Sequence, residues 1–190
     1  MDVLFYGHSV GGIFYDIFLA VVSVALMWVL TTWHKKMPVV IKVVFGYVTL
    51  LFFPNALYLA TEFRHLFDGM VRSIDAMSIV TLGAISLLGL ALAVAANLVA
   101  LRKLPNPSRL WVTAALGLSF LAAWGTALGL LRLHSVDGLT FQVGILFASV
   151  KIISSWKWLL LVTTMAVLLF YATLVSDVVL KKRSPTTRGN

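Results

Sequence analysis

The chain has 190 residues, of which 61% are hydrophobic and only 12% are charged, and its formal net charge is +8. A water-soluble domain of this length has too high a surface-to-volume ratio to bury so much apolar surface. The basic residues lie mostly in short loops and at the C-terminus, which indicates membrane topology and contact with anionic lipid headgroups. We therefore expect no nucleic acid as a partner, and the lack of cysteine excludes disulfides, thiolate metal sites and a cysteine nucleophile.

The sequence predicts an all-α integral membrane protein with five transmembrane helices. Five apolar runs have the length of about 20 residues that is needed to cross ~30 Å of hydrocarbon. In chain order, the predicted helices cover about residues 12–33, 39–66, 75–101, 110–131 and 157–180, with Asp75 as the N-cap of the third.

The stretch 139–155 is apolar but is interrupted by Gln142, Gly144 and Lys151. We predict an interfacial or re-entrant segment there, with a sixth span as the alternative. Residues 1–183 then form a single multi-span membrane domain, and residues 184–190 form a disordered cytoplasmic tail.

The distribution of Lys and Arg predicts the orientation. One side of the bilayer would carry ten of these residues, in the loops 34–42 and 102–109 and in the C-terminal tail. The other side would carry five, namely Arg64, Arg72, Arg132, Lys151 and Lys157. Because cytoplasmic loops hold the excess of positive charge, the N-terminus is expected outside and the C-terminus in the cytoplasm.

The second predicted helix ends in an unusually polar stretch, residues 53–66. At about 100° per residue, five side chains fall within roughly one third of the helix circumference: Asn55, Tyr58, Thr61, Glu62 and His65. Pro54 removes one backbone donor from this helix; taken alone it is better explained as an ordinary transmembrane proline, and the alternative is a kink that opens a polar pocket. Polar and ionisable groups inside a membrane are costly and are usually functional.

Glu62 and His65 are three residues apart, the spacing by which one helix gives two ligands to a metal. With His134 and Asp137 they could complete a site for a divalent metal such as zinc, manganese or iron. The same groups could instead transfer protons without a metal. In a third interpretation, Glu62 or Asp137 pairs with Arg132 as a structural clamp between helices.

Two further features have competing interpretations. Ser135 could act as a nucleophile, but it lacks the glycine pattern of a nucleophile elbow and is better explained as a serine at a helix end. Gly125 and Gly129 form a Gly-x-x-x-Gly pair, which suits close helix packing either within the chain or in an oligomer.

The polar stretch resembles the motif Pro-Asn-x-x-Tyr-x-x-Thr-Asp/Glu-x-x-His-Leu of a family of small prokaryotic membrane proteins, catalogued as domain of unknown function 1361. Residues 132–137 are similar to its second motif, Arg-x-Asn-Ser-Trp-Asp, although His134 replaces the Asn and Val136 the Trp. The resemblance implies a multi-span protein of the bacterial plasma (inner) membrane but no activity. It also implies one site, made of Asn55, Tyr58, Thr61, Glu62, His65, Arg132, Ser135 and Asp137.

These observations leave three hypotheses for function. In the first, an enzyme acts on a lipid or lipid-linked envelope substrate at the outer face, through a polar site between the second and fourth helices. Glu62, His65 and Asp137 would be catalytic or bind metal, and Arg132 would hold an anionic group. In the second, the protein is a non-catalytic assembly or accessory subunit whose polar cluster is a clamp. A small transporter or proton-linked channel ranks third, because residues 79–101 are almost entirely apolar.

Overall fold

The structure is a computed structural model that describes residues 4–5, 8–33, 35–62, 76–104, 108–131, 145 and 148–183. It is all-helical apart from a short antiparallel hairpin of β1 (Leu4–Phe5) and β2 (His8–Ser9). The long helices are α1 (Val10–Trp33), α2 (Val39–Leu59), α3 (Ala76–Leu101), α4 (Arg109–Leu130) and α6 (Trp156–Arg183), and residues 148–154 form the short α5. All five long helices have the length and apolar composition to cross a membrane, which confirms the five predicted helical segments as candidate spans.

The second helix is shorter than predicted. Beyond Leu59 the chain tightens, since the Ala60 N–H donates to Leu57 O at 3.1 Å and the Thr61 N–H donates to Tyr58 O at 2.8 Å. The Thr61 hydroxyl also donates to Tyr58 O, at 2.7 Å, so one threonine closes the last turn with two hydrogen bonds. The prediction that a regular α-helix continues through Glu62 is therefore wrong, and residues 63–66 lie outside the described part of the chain.

The remaining boundaries differ from prediction by a few residues. The α4 helix starts at Arg109 because the Ser108 hydroxyl caps it, accepting from the Trp111 N–H at 3.1 Å. Within the described residues, α5 covers residues 148–154, and Ile145 is also helical, so the interfacial or re-entrant segment and the alternative sixth span both stay predictions. Residues 139–144, 146 and 147, the predicted cap Asp75 and the tail 184–190 lie outside the described residues.

The bundle has small residues inside and large ones outside. Its core contains fully buried alanines, including Ala20, Ala56, Ala96, Ala122 and Ala127, whereas Phe14, Leu87 and Leu168 are all more than 60% exposed. Association of helices in lipid depends on close backbone approach, because large apolar side chains gain nothing by leaving a medium as apolar as themselves. This arrangement is therefore typical of a membrane-spanning bundle.

The α2 helix packs against α1, α3 and α4. Two glycines allow this close packing. A Cβ atom at Gly125 of α4 would lie 2.7 Å from Cβ of Pro54, and one at Gly89 of α3 would lie 2.7 Å from the Leu59 carbonyl carbon. Both distances are too short for a side chain, so the last two turns of α2 are fixed from two sides.

The opposite end of the bundle carries the basic loops. Arg102 donates to the Thr32 hydroxyl and Lys103 to the Thr31 carbonyl, so the loop after α3 covers the C-terminal end of α1. The starts of α2 and α4 and the end of α6 lie at the same end, because consecutive long helices alternate in direction, with α6 parallel to α3. We call this the basic end, and the other the polar end.

Candidate functional site

A polar cavity of about 380 Å³ lies near the polar end of the bundle. Three helices line it: α1 gives Tyr15, Asp16 and Leu19, α2 gives Pro54, Asn55 and Tyr58, and α4 gives Gly125 and Gly129. The cavity therefore combines a carboxylate, an amide and phenols within segments that have the composition of membrane spans.

The backbone of α2 and α4 shapes the wall of this cavity. The Pro54 ring lies against the backbone of Gly125, where no side chain fits. At the next residue of α4, the Thr126 hydroxyl is 2.8 Å from Ala122 O and 3.2 Å from Pro54 O, so it can donate its proton to either carbonyl. Asn55 Nδ2 donates to Phe52 O at 3.0 Å, which folds the amide back along its own helix.

The sequence did not place the α1 residues Tyr15, Asp16 and Leu19 in the site, and Asp16 is the carboxylate among them. It lies two residues after the start of the first candidate span, Phe14–Trp33, so the available signal was an ionisable residue inside an apolar helix. Its neighbours could not be predicted, because the contact between α1 and the end of α2 depends on tertiary packing. Asp16 and Tyr58 both have interaction partners in the structure, so neither side chain is a free group in the cavity.

Glu62 follows the end of α2 and is only 4% exposed. It also has an interaction partner, as a buried carboxylate requires. Gly89, which contacts the chain at Leu59 and Ala60, is thirteen residues from the start of α3, about 20 Å along its axis. The end of α2 therefore lies beside the middle of α3, not beside its start.

Thr61 faces a different space from Asn55 and Tyr58. It lines a larger apolar groove between the end of α2, α3 and α6, together with residues such as Ser86 and Met165. On a helical wheel Thr61 lies about 120° from Asn55, at the edge of the predicted polar arc. The structure thus brings Asn55 and Tyr58 together with Asp16 and separates Thr61 from them.

Five of the predicted site residues lie outside the described part of the chain: His65, Arg132, His134, Ser135 and Asp137. Among the residues that are described, no group of three or more His, Asp and Glu side chains could hold a metal ion. Because three of the four proposed ligands are outside this part, the metal site of Glu62, His65, His134 and Asp137 stays a prediction.

The glycine pair of α4 serves the fold of the single chain. Gly125 lies against Pro54 and Gly129 lines the polar cavity, so both face the interior of the bundle. This contact corresponds to the first of the two predicted uses, packing within the chain.

The helical architecture and the five candidate spans define a multi-pass membrane protein, and a polar cavity lies between three of its helices. The profile of the family described as "Protein of unknown function (DUF1361)" matches residues 15–172, well over half of the chain. The protein therefore belongs to this family, and the match includes every residue that lines the polar cavity. No curated protein and no solved structure gives a significant match.

Proposed function

We propose that the protein is a membrane-embedded enzyme that acts on a lipid or lipid-linked envelope substrate, with the polar cavity as its headgroup site. The observation that supports this most is the presence of Asp16, Asn55 and Tyr58 around one cavity inside candidate membrane spans. A soluble substrate would not need such a site, whereas a lipid headgroup entering from the bilayer would need hydrogen-bonding groups at this place.

The proposed chemistry is general acid–base catalysis by carboxylates. Asp16 lines the cavity and Glu62 is buried just after the end of α2, and these two carboxyl groups would hold or transfer a proton beside a bound headgroup. His65 would serve as base or ligand, Arg132 would hold an anionic headgroup, and Asp137 would orient the histidine. A divalent metal bound by Glu62, His65, His134 and Asp137 is the metal-dependent form of this proposal.

The proposed orientation has the cavity on the outer side of a bacterial plasma membrane. Five described basic residues lie next to helix ends at the basic end of the bundle: Lys35, Lys36, Arg102, Lys103 and Arg109. If the positive-inside rule applies, that end faces the cytoplasm and the cavity opens toward the outer leaflet.

The second candidate is a non-catalytic accessory subunit in which the polar residues clamp helices together. The burial of Glu62 and its interaction with a partner favour this candidate, because a structural contact of this kind is sufficient reason for a buried carboxylate. A transporter or channel stays third, since Asn97, the most polar residue of the apolar part of α3, is used in hydrogen bonds between helices.

The test is turnover of envelope lipids by the purified protein in nanodiscs, followed by mass spectrometry, with melting temperature and metal content measured on the same samples. The enzyme hypothesis predicts that Asp16→Asn and Glu62→Gln lose turnover while their melting temperatures stay near that of the wild type. Asp177→Asn is the matched control, because Asp177 pairs with Lys181 at 2.9 Å near the basic end and does not line the cavity.

Two results would contradict the proposal that the protein is an enzyme. The first is that the wild-type protein converts no lipid; the second is that Asp16→Asn and Glu62→Gln turn over lipid at the wild-type rate. A large drop in melting temperature for Asp16→Asn and Glu62→Gln, but not for Asp177→Asn, would favour the structural clamp. Metal that is stoichiometric in the wild type and lost in His65→Ala and Asp137→Ala would support the metal-dependent form.

A further inference from the structure

A lateral groove runs between α3 and α6, outside the polar cavity. Two hollows of about 700 and 480 Å³ form it, and they are continuous because they share five lining residues: Leu87, Leu90, Ala172, Val175 and Ser176. The groove extends from Thr61 and Met165 at one end to Leu98 and Leu180 at the other.

The groove is apolar and open to the side. Small residues leave space between the two parallel helices: Ala91 and Ala95 on α3, and Ala172 and Ser176 on α6. Larger side chains form its edges, and Leu87 and Val175 remain 69% and 59% exposed. These dimensions suit a narrow, flexible apolar chain.

The surroundings of the groove indicate which apolar molecule occupies it. Both walls belong to candidate spans, Ile79–Leu101 and Trp156–Lys181, so the groove is continuous with the surface that contacts the bilayer. From Met165 to Leu180 it is about 22 Å long at 1.5 Å per residue, longer than the ~15 Å of hydrocarbon in one leaflet. A single extended acyl chain therefore fits along it.

The distribution of basic residues indicates in which direction an acyl chain would lie in the groove. The groove ends at Leu180, which is followed by Lys181, paired with Asp177 at 2.9 Å, and then by Lys182 and Arg183. On α3 it ends at Leu98, one turn before Arg102 and Lys103. Basic residues at a membrane surface attract anionic headgroups by ~1 kcal/mol each. At its other end, the groove is bordered by uncharged residues such as Thr61 and Ser86.

We propose that the α3–α6 groove is a binding site for an anionic phospholipid, whose headgroup contacts the basic end while one acyl chain extends toward Thr61. This site is distinct from the polar cavity, which lies on the other side of α2 between α1 and α4. The proposal does not depend on the enzymatic activity proposed above.

The test uses photoactivatable phosphatidylglycerol and phosphatidylcholine with identical diazirine-bearing chains, in nanodiscs that hold the full chain. We expect phosphatidylglycerol to label peptides of α3 and α6 along the groove more strongly than phosphatidylcholine does. Ala91→Phe fills the groove and should lower that labelling to the phosphatidylcholine level. Ala25→Phe is the matched control, an equal change at an exposed alanine of α1.

Melting temperatures measured in the two lipids distinguish a loss of lipid binding from a loss of folding. A bound lipid stabilises the folded state, so phosphatidylglycerol should raise the melting temperature of the wild type and of Ala25→Phe but not that of Ala91→Phe. Equal labelling by both lipids, unchanged labelling of Ala91→Phe, or cross-linking of the groove to a second copy of the chain would overturn the proposal.

Discussion

At the scale of single residues, a hydrogen-bonded cluster joins three helices inside the bundle. Asn97 of α3 donates through Nδ2 to Ser119 Oγ of α4 and to Thr173 Oγ1 of α6, each at 3.2 Å. All three residues are fully buried, and Thr173 also donates to Leu169 O within its own helix. Asn97 Oδ1 has no hydrogen-bond partner among the described residues. The amide thus satisfies its donors and leaves one acceptor unpaired, which limits the net stabilisation.

A double-mutant cycle on Asn97 and Ser119 measures this contribution. Asn97→Ala and Ser119→Ala each remove the same interhelical hydrogen bond. We therefore expect a coupling free energy of ~0.6 kcal/mol between them, and no more than ~1.7 kcal/mol, as for other such bonds in membranes. The measurement is the free energy of unfolding in detergent micelles.

Ser23→Ala is the control for this cycle. Ser23 is equally buried, but its hydroxyl donates to Ala20 O of its own helix at 2.7 Å. Its combination with Asn97→Ala should therefore be additive. If the Asn97 and Ser119 changes were also additive, the interhelical hydrogen bond would contribute nothing measurable.

At the scale of helices, two glycines with different surroundings lie eight residues apart on α4. Gly125 meets Pro54 of α2 at a distance that excludes any side chain, whereas a Cβ atom at Gly117 would have nothing within 4 Å. The same substitution therefore has opposite expected effects at the two positions. This comparison separates helix propensity from helix packing.

We expect Gly125→Ala to destabilise the bundle and Gly117→Ala to leave it unchanged or slightly more stable. The first change forces α2 and α4 apart, and overpacking of this kind costs ~1–3 kcal/mol. The second gains up to ~1 kcal/mol of helix propensity, an upper bound from aqueous peptides. Thermal unfolding of the two variants beside the wild type checks this, and equal melting temperatures would contradict the packing role of Gly125.

The helices themselves could be predicted from the sequence, whereas their contacts could not. Apolar runs near 20 residues determine where spans lie, because the thickness of the bilayer leaves little choice. The end of α2 at Leu59 depends on a tight turn that Thr61 closes with its own hydroxyl, and Thr61 had been expected to continue the helix. Asp16 enters the site only because α1 packs against the end of α2, which no spacing within the motif of residues 54–66 reveals.

At the scale of the whole molecule, the polar cavity and the described basic residues lie at opposite ends of the bundle. The polar cavity lies between the start of α1, the end of α2 and the end of α4, while described basic residues cluster at the other helix ends. This polarity follows from the alternating direction of the long helices and from the distribution of Lys and Arg. The orientation of the bundle in the membrane therefore decides from which side the proposed substrate would reach the cavity.

The lack of cysteine makes the orientation directly measurable, because a single introduced cysteine is the only thiol in the chain. We expect Met37→Cys, in the loop between α1 and α2, to react with a membrane-impermeant maleimide only after the cells are permeabilised. Ser155→Cys, just before α6 at the opposite end, should react in intact cells. Neither change alters the charge on which the positive-inside rule depends. Labelling of Met37→Cys from outside, with Ser155→Cys protected, would invert the bundle and place the polar cavity toward the cytoplasm, where it would face substrates of the inner leaflet.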